Sequence, residues 1–255
     1  MKLTAIANQK GGVGKTSTCV NLCAGLGMLG KRVLMVDMDP QGNSTSGIGI
    51  ERGTLEASIY ELIVDGLPLE ECLIPSPWKN VSVVPATIDL AGAEIELVSA
   101  MSRETRLKKA LETAKFDHVI IDCPPSLGLL TLNSLVAADS LIIPIQCEYY
   151  ALEGLSQLMN TIDLVRSHLN AALKLDGLLL TMYDARTRLS KDVAAEVRLR
   201  FAEKVFKTQI PRNVRISEAP SHGMPIQYYD ASSPGTTAYN KFTKEVLKRW
   251  QSKEG

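Results

Sequence analysis

Apolar residues gather in seven short runs along the chain: Leu3–Ala7, Arg32–Asp37, Val81–Val84, Asp117–Asp122, Ser140–Gln146, Leu175–Met182 and Val205–Ile210. Their interiors are continuously apolar rather than alternating, which is the pattern of strands buried on both faces. Between them, apolar residues recur at helical spacing over Ser17–Leu29, Thr54–Val64, Leu90–Ala114, Ser190–Glu203 and the tail Pro234–Gly255. Another helix opens at Cys147–Gly154 and runs to about His168, and Pro75–Trp78 reads as a loop. Strand and helix in turn predict an α/β fold, a mostly parallel twisted sheet with helices on both faces. Residues 1–255 are expected to form a single domain of this kind.

Ligands of such sheets collect beyond the carboxyl ends of the strands. The first of these ends carries Asn8-Gln9-Lys10-Gly11-Gly12-Val13-Gly14-Lys15-Thr16, between a strand and a helix. Glycines let backbone N–H groups converge on an anion, and the helix N-terminus adds positive potential. The loop from Lys10 to Ser17 is therefore a candidate phosphate cradle, with Lys15 reaching the phosphates and the Thr16 hydroxyl on Mg²⁺. The usual G-x-x-x-x-G-K-[ST] spacing is not met, because Gln9 stands where the first glycine belongs. Lys10 has no evident partner within its own loop. It is either a solvated lysine in a glycine turn or a cation offered to a nucleotide held by a second copy of the chain.

Two further carboxylates fall at strand ends. Asp39, in Met38-Asp39-Pro40-Gln41-Gly42-Asn43, could face a γ-phosphate and hold attacking water, or simply open a turn before Pro40. Asp122, fixed by its strand and followed by Cys123-Pro124-Pro125-Ser126, could reach Mg²⁺ through a water ligand. Lys15, Asp39 and Asp122 would thus share one edge of the sheet.

Taken together, these segments resemble the deviant Walker A ATPases of the ParA/MinD family. K-G-G-x-G-K-T matches their signature loop, D-x-D-P-Q-G-N their first switch and D-C-P-P-S their second. The likeness is greatest to the ParA (Soj) chromosome-partitioning branch and runs through almost the whole chain. The Ile88–Glu94 stretch shares it without suggesting any chemistry. The resemblance implies a P-loop ATPase using ATP and Mg²⁺, with Lys10, Lys15 and Asp39 catalytic. Nucleotide contacts would come from Lys10, Gly11, Gly12, Val13, Gly14, Lys15, Thr16 and Ser17, and metal contacts from Thr16, Asp39 and Asp122. It also sets Glu148 near the nucleotide and dimer contact, and Pro211 and Asn213 against the adenine. A turn proline and a capping asparagine remain the alternative for that pair.

The formal net charge is zero, so no global field draws the molecule to nucleic acid or membrane, and any such binding needs a local patch. One basic stretch exists, Arg186–Arg215, and its central helix accounts for most of the charge as a solvated face. Arg186 and Arg215 lie in loops, where arginines can grip phosphates without reading bases. In the resembling proteins, arginines at these positions carry non-specific duplex DNA binding. Roughly four phosphate contacts per dimer would give a log–log salt slope near −3.6. His222 reads as a loop histidine.

The five cysteines are scattered without a C-x-x-C pair, which suits a reducing compartment. No leader precedes Leu3, and no apolar run reaches the roughly 18 residues of a membrane span. The tail stripe Tyr239, Phe242, Val246, Leu247 and Trp250 fits a packed final helix or an interfacial anchor. In MinD relatives the anchor lies beyond that helix, whereas Gln251–Gly255 contains no apolar residue. The expectation is therefore a cytoplasmic, nucleoid-associated homodimer without stable membrane association. Its partners would be double-stranded DNA and a ParB (Spo0J-like) centromere-binding protein that stimulates hydrolysis. A MinD-like, membrane-associated division regulator is the alternative.

Overall fold

The computed structural model describes residues 1–148 and 151–251, with backbone alone at 151–153. The strands are β1 (Lys2–Ile6), β2 (Val33–Asp37), β3 (Ile74–Pro75), β4 (Val81–Val84), β5 (His118–Asp122), β6 (Ser140–Gln146), β7 (Lys174–Tyr183) and β8 (Val205–Pro211). They form one sheet in the order β3-β4-β2-β5-β1-β6-β7-β8, parallel except where β3 meets β4. The expected α/β architecture is what the chain adopts.

Helices α1 (Lys15–Met28), α2 (Asn43–Gly47), α3 (Leu90–Glu96), α4 (Arg106–Ala110) and α5 (Leu129–Ala137) belong to the first half. The second half holds α6 (Ala151–His168), α7 (Arg188–Phe201), α8 (Val214–Glu218), α9 (Ile226–Tyr229) and α10 (Pro234–Gln251).

The continuous apolar strands have the expected cause. Leu3 and Ala5 of β1, Leu34 and Val36 of β2, and Val119 and Ile121 of β5 enter the core on one face. Ile6, Val33, Met35 and Ile120 enter the core on the other. Successive side chains point to opposite faces, so both sets must be apolar when both faces are covered. On the second face α1 lies against α10. A Cβ on Gly25 would stand 2.4 Å from Thr243 Oγ1, so glycine permits that approach. Tyr239, Phe242, Val246 and Trp250 of α10 are buried there. The tail stripe is thus core packing and is not offered to a bilayer. Residues 252–255 lie outside the described residues.

Three local expectations are corrected. Thr54–Val64 is not one helix: residues 52–54 form a 3₁₀ turn and Glu61–Asp65 a π-helical turn. Ser58 and Glu61 delay the start, since Ser58 N donates to Glu61 Oε2 at 2.7 Å as a helix cap does. Leu90–Ala114 breaks into α3, two 3₁₀ turns and α4, with Ser102 at φ +53° between them. Pro75, assigned to a loop, ends the short edge strand β3, a position where its missing N–H costs no ladder bond.

Candidate functional site

The loop after β1 is built to present backbone. Gly12 and Gly14 have φ of +74° and +87°, values a side chain makes costly. Asn8 Nδ2 donates to Pro144 O at 2.7 Å, and Asn8 Oδ1 accepts from Lys10 N at 3.0 Å. Thr181 Oγ1 donates to Val13 O at 2.8 Å, which ties the loop to β7 as well as β6. Val13 is itself buried, so only its backbone can serve a ligand. Helix α1 starts without a side-chain cap and without an acid in its first turn. Its free N–H groups and dipole remain for an anion.

Three carboxylates stand behind this cradle. Asp37 and Asp122 are paired in register on β2 and β5, and both are buried. Asp37 is fully engaged: Thr45 Oγ1 and N donate to Oδ2 at 2.7 and 2.9 Å, and Asp39 N donates to Oδ1 at 3.1 Å. Burial still pushes its pKa up, against the pull of those bonds. Asp122 accepts no hydrogen bond at either oxygen. Burial, and then the neighbouring Asp37, raise it to about 8, while Thr16 and Lys15 work in the opposite direction. Lys15 is buried too, and desolvation lowers its pKa despite Asp122 and Asp39 nearby. Its Nζ donates to Lys10 O at 3.2 Å. A buried lysine facing a buried, unbonded carboxylate is costly unless an ionic ligand sits between them.

Two cavities adjoin. The larger, about 590 Å³, is lined by Gly11, Gly12, Gly14, Lys15, Thr16, Ser17 and Asp39, together with Ser46, Pro125, Pro220 and Ser221. A slot of about 260 Å³ follows, lined by Gly14, Ser17, Pro211, Asn213, Val214, Ile216 and Tyr239. Met182 borders both, at φ +50°. A polar chamber with an apolar annex suits a phosphorylated ligand carrying a flat ring. Asn213 also caps α8, its Oδ1 accepting from Arg215 N at 3.0 Å, so the capping alternative holds alongside its place in the slot.

Lys10 and Glu148 line neither cavity. Instead Lys10 Nζ lies 3.9 Å from Glu148 Oε2, while Arg212 and Gln146 donate to Oε1 at 3.3 and 2.6 Å. Tyr149 and Tyr150 of the Cys147–Gly154 stretch lie outside the described residues. Arg186 is exposed and gripped twice by Asp184, at 2.9 and 2.8 Å, which holds that carboxyl down at about 2. Arg215 pairs with Glu218 at 2.8 Å and Asp230 at 3.5 Å.

A family model described as an AAA domain matches residues 1–175. The sporulation initiation inhibitor protein Soj of Bacillus subtilis is 60% identical over 247 residues, 96% of this chain and 98% of that one. The chromosome partitioning protein ParA of Myxococcus xanthus is 54% identical, covering 97% of this chain and 88% of its own length. The chain belongs to the ParA/Soj family of partitioning ATPases. Among solved structures, one titled cobyrinic acid a,c-diamide synthase, from Mycobacterium smegmatis with ADP and magnesium, superposes with a TM-score of 0.87. It is 40% identical and covers 99% of this chain and 96% of its own.

Sequence reasoning overlooked several site residues. Asp37 closes an apolar strand and gives no sign that Thr45, eight positions on, will bond it. Met182, Pro220 and Ser221 come from elements separated by a sheet crossover, and a single sequence carries no signal of that proximity. The D-x-D spacing could have flagged Asp37, since its carboxylate closes a strand buried along its whole length while Asp39 lies in the loop beyond.

Proposed function

We propose that residues 1–255 act as one P-loop ATPase that moves DNA during partitioning, cycling between an ATP-bound dimer and free subunits. One observation carries the ATPase reading: Asp122, buried beside the Thr16 hydroxyl without a formed hydrogen bond, stands behind an uncapped helix N-terminus with Lys15 beside it. This arrangement suits a bound anion and cation together. Thr16 and Asp122, with Asp39 opposite, would hold Mg²⁺, which would offset phosphate charge there. Among the described residues no three acidic, histidine or cysteine side chains form a cage of their own. That suits Mg²⁺, which keeps waters and relies on phosphate oxygens.

Backbone N–H groups of Gly11 to Ser17 cradle the phosphates, and Lys15 offsets their charge. Pro211 and Asn213 bound the slot that takes the base. Asp39 lines the phosphate chamber and orients the attacking water. Lys10 leaves Glu148 and crosses to the partner subunit's nucleotide, so a complete site needs two subunits. Pairing brings two copies of Arg186 and Arg215 onto one duplex, which raises DNA affinity without any nucleotide contact to DNA. A ParB-type protein at centromere-like sites would stimulate hydrolysis, and the dimer would act at the nucleoid.

The buried apolar face of α10 leaves a MinD-like membrane cycle without an anchor among the described residues, and no described helix can cross a membrane. The M. smegmatis protein is named for amide synthesis, and steady turnover with an acyl acceptor would favour that activity. The deciding experiment is sedimentation of Asp39→Ala with and without ATP, then with duplex DNA. An ATP-dependent dimer that co-sediments with DNA supports the proposal. A monomer at saturating ATP, or a dimer indifferent to DNA, defeats it.

A further inference from the structure

The Ile88–Glu94 stretch takes no part in either nucleotide cavity. Leu90 and Ala93 of α3, with Leu97 just beyond it, are buried, whereas Ile88, Ile95 and Val98 are 71%, 78% and 57% exposed. Ile95 lies on α3, Ile88 in the turn just before it and Val98 in the 3₁₀ turn just after it, and with Asp89 and Leu97 both in helical conformation, spacings of seven and three residues set the three toward one side. Met101, 88% exposed, extends the stripe to the wall of a separate cavity of about 530 Å³. Leu62, Leu67 and Ala110 supply the remaining apolar lining, and Arg106 and Lys109 supply two cations. No carboxylate lines this cavity, and among the described residues neither cation has an ion-pair partner, the nearby Arg103 being the one that takes Glu104. The wall is firmly built. Asn133 of α5 accepts from Leu107 N at 3.2 Å and donates to Arg103 O at 2.8 Å.

A stripe of exposed apolar side chains ending at unpaired cations asks for a ligand that is apolar along its length and anionic at one end. We propose that it docks a short amphipathic segment of a second protein, its apolar side chains along α3 and its carboxylate between Arg106 and Lys109. A helix laid in a groove uses the same i, i+3, i+7 spacing. Anionic lipid fits less well, because Asp89 and Glu96 flank the stripe and would face the headgroups. A second copy of the chain fits less well too. Four side chains fall far short of the roughly 800 Å² per partner that a stable interface buries. The site is distinct from the nucleotide cavities, so the test is run without nucleotide and its outcome does not depend on the ATPase reading.

The probe is a displayed library of random peptides about 12 residues long, long enough for one helical groove. It is selected on the full chain and counter-selected on Arg106→Glu/Lys109→Glu. Enriched peptides are then synthesised and titrated by fluorescence anisotropy, with hydrogen exchange locating the contact. The expected consensus carries an acid beside apolar residues at helical spacing, with protection confined to residues 88–110. Affinity should fall at least roughly tenfold in Val98→Asp and in the double charge variant, as for a truncated interface anchor. Val98 is exposed, and circular dichroism checks that its variant folds. Any of four results overturns the proposal: a consensus without an acid, affinities indifferent to both variants, binding of phosphatidylglycerol vesicles in place of peptide, or a nucleotide-free dimer that Val98→Asp dissolves.

Discussion

Lys10 Nζ and Glu148 Oε2 of the same subunit lie 3.9 Å apart, although 138 positions separate the two residues in the sequence. Glu148 also accepts from Arg212, whose side chain borders the base slot. One carboxylate therefore holds the loop lysine and a cation beside the slot at once. For Lys10 to serve another subunit, this pair must open first. Both partners are partly exposed, so breaking such a pair costs about 0.2–1 kcal/mol. Glu148→Gln should then tighten the ATP-dependent dimer by up to about thirtyfold, since 1 kcal/mol is about fivefold and one pair opens in each of the two subunits. Sedimentation across a concentration series measures it, with Lys10→Ala as the dimerless control. A weaker dimer in Glu148→Gln would mean that the carboxylate contributes to the closed state and does not restrain it.

Asp122 poses the converse problem, a side chain whose environment suits function better than stability. With both oxygens buried and unbonded beside Asp37, it destabilises the metal-free fold. Asp122→Asn replaces, at nearly constant volume, an acid that must either take up a proton or bury a charge on folding. The metal-free variant should gain about 1–3 kcal/mol, the usual scale for relieving a buried uncompensated group. It should at the same time lose Mg²⁺-dependent nucleotide affinity. Thermal melts with and without Mg²⁺ and ATP test both halves. A variant less stable than the parent would show that some unseen partner already satisfies this carboxylate.

The contrast between these two pairs explains what the sequence could reveal. The strands were legible because burial on both faces demands unbroken apolar runs, and the cradle because glycine, lysine and threonine at fixed spacing encode a backbone shape. Lys15, Asp39 and Asp122 fall at strand ends, so their convergence followed from the parallel sheet alone. The Lys10–Glu148 pair depends on β6 lying next to β1, and strand order is not written in local periodicity. The broken helix over Leu90–Ala114 was obscured for a related reason. Its apolar residues keep helical spacing while Asn133, on another element, captures Arg103 O and Leu107 N and fixes the break. Tertiary hydrogen bonds override local preference there.

His118 gives the fold a dependence on pH. Its ring stacks on Trp250 with centroids 4.7 Å apart, and its Nδ1 is buried without a partner. Burial first, then Lys31, hold its pKa down at about 4, against 6.5 for a free histidine. Between those values the unfolded chain binds the proton and the folded chain does not. Stability from this residue is thus complete above about pH 6.5 and declines as pH falls toward 4. Asp117 next to it titrates only near 2, held there by Arg32, so the two windows are separate. Urea midpoints above pH 7 and at about pH 5 should differ, and His118→Phe, which keeps the stacking, should shrink the difference. An unchanged difference would assign the acid sensitivity to other groups.

Arg215 shows how structure alters the choice of variant. Charge reversal there would set a glutamate against Glu218 and Asp230, now 2.8 and 3.5 Å from the guanidinium. Repulsion could disturb α8, and α8 lines the base slot through Val214 and Ile216. A loss of DNA binding would then be ambiguous. Arg215→Ala avoids the clash, leaving the Asn213 cap of α8 in place. If Arg215 grips phosphate, the alanine variant should dimerise with ATP as the parent does while binding every duplex sequence more weakly. Its log–log salt slope should fall by about 1 per contact removed, hence by about 2 for a dimer. Arg186→Ala should act in the same direction, and Asp184, relieved of its partner, should return toward the ordinary carboxylate range. An unchanged salt slope in both variants, with dimerisation intact, would move the DNA contact to another face of the protein.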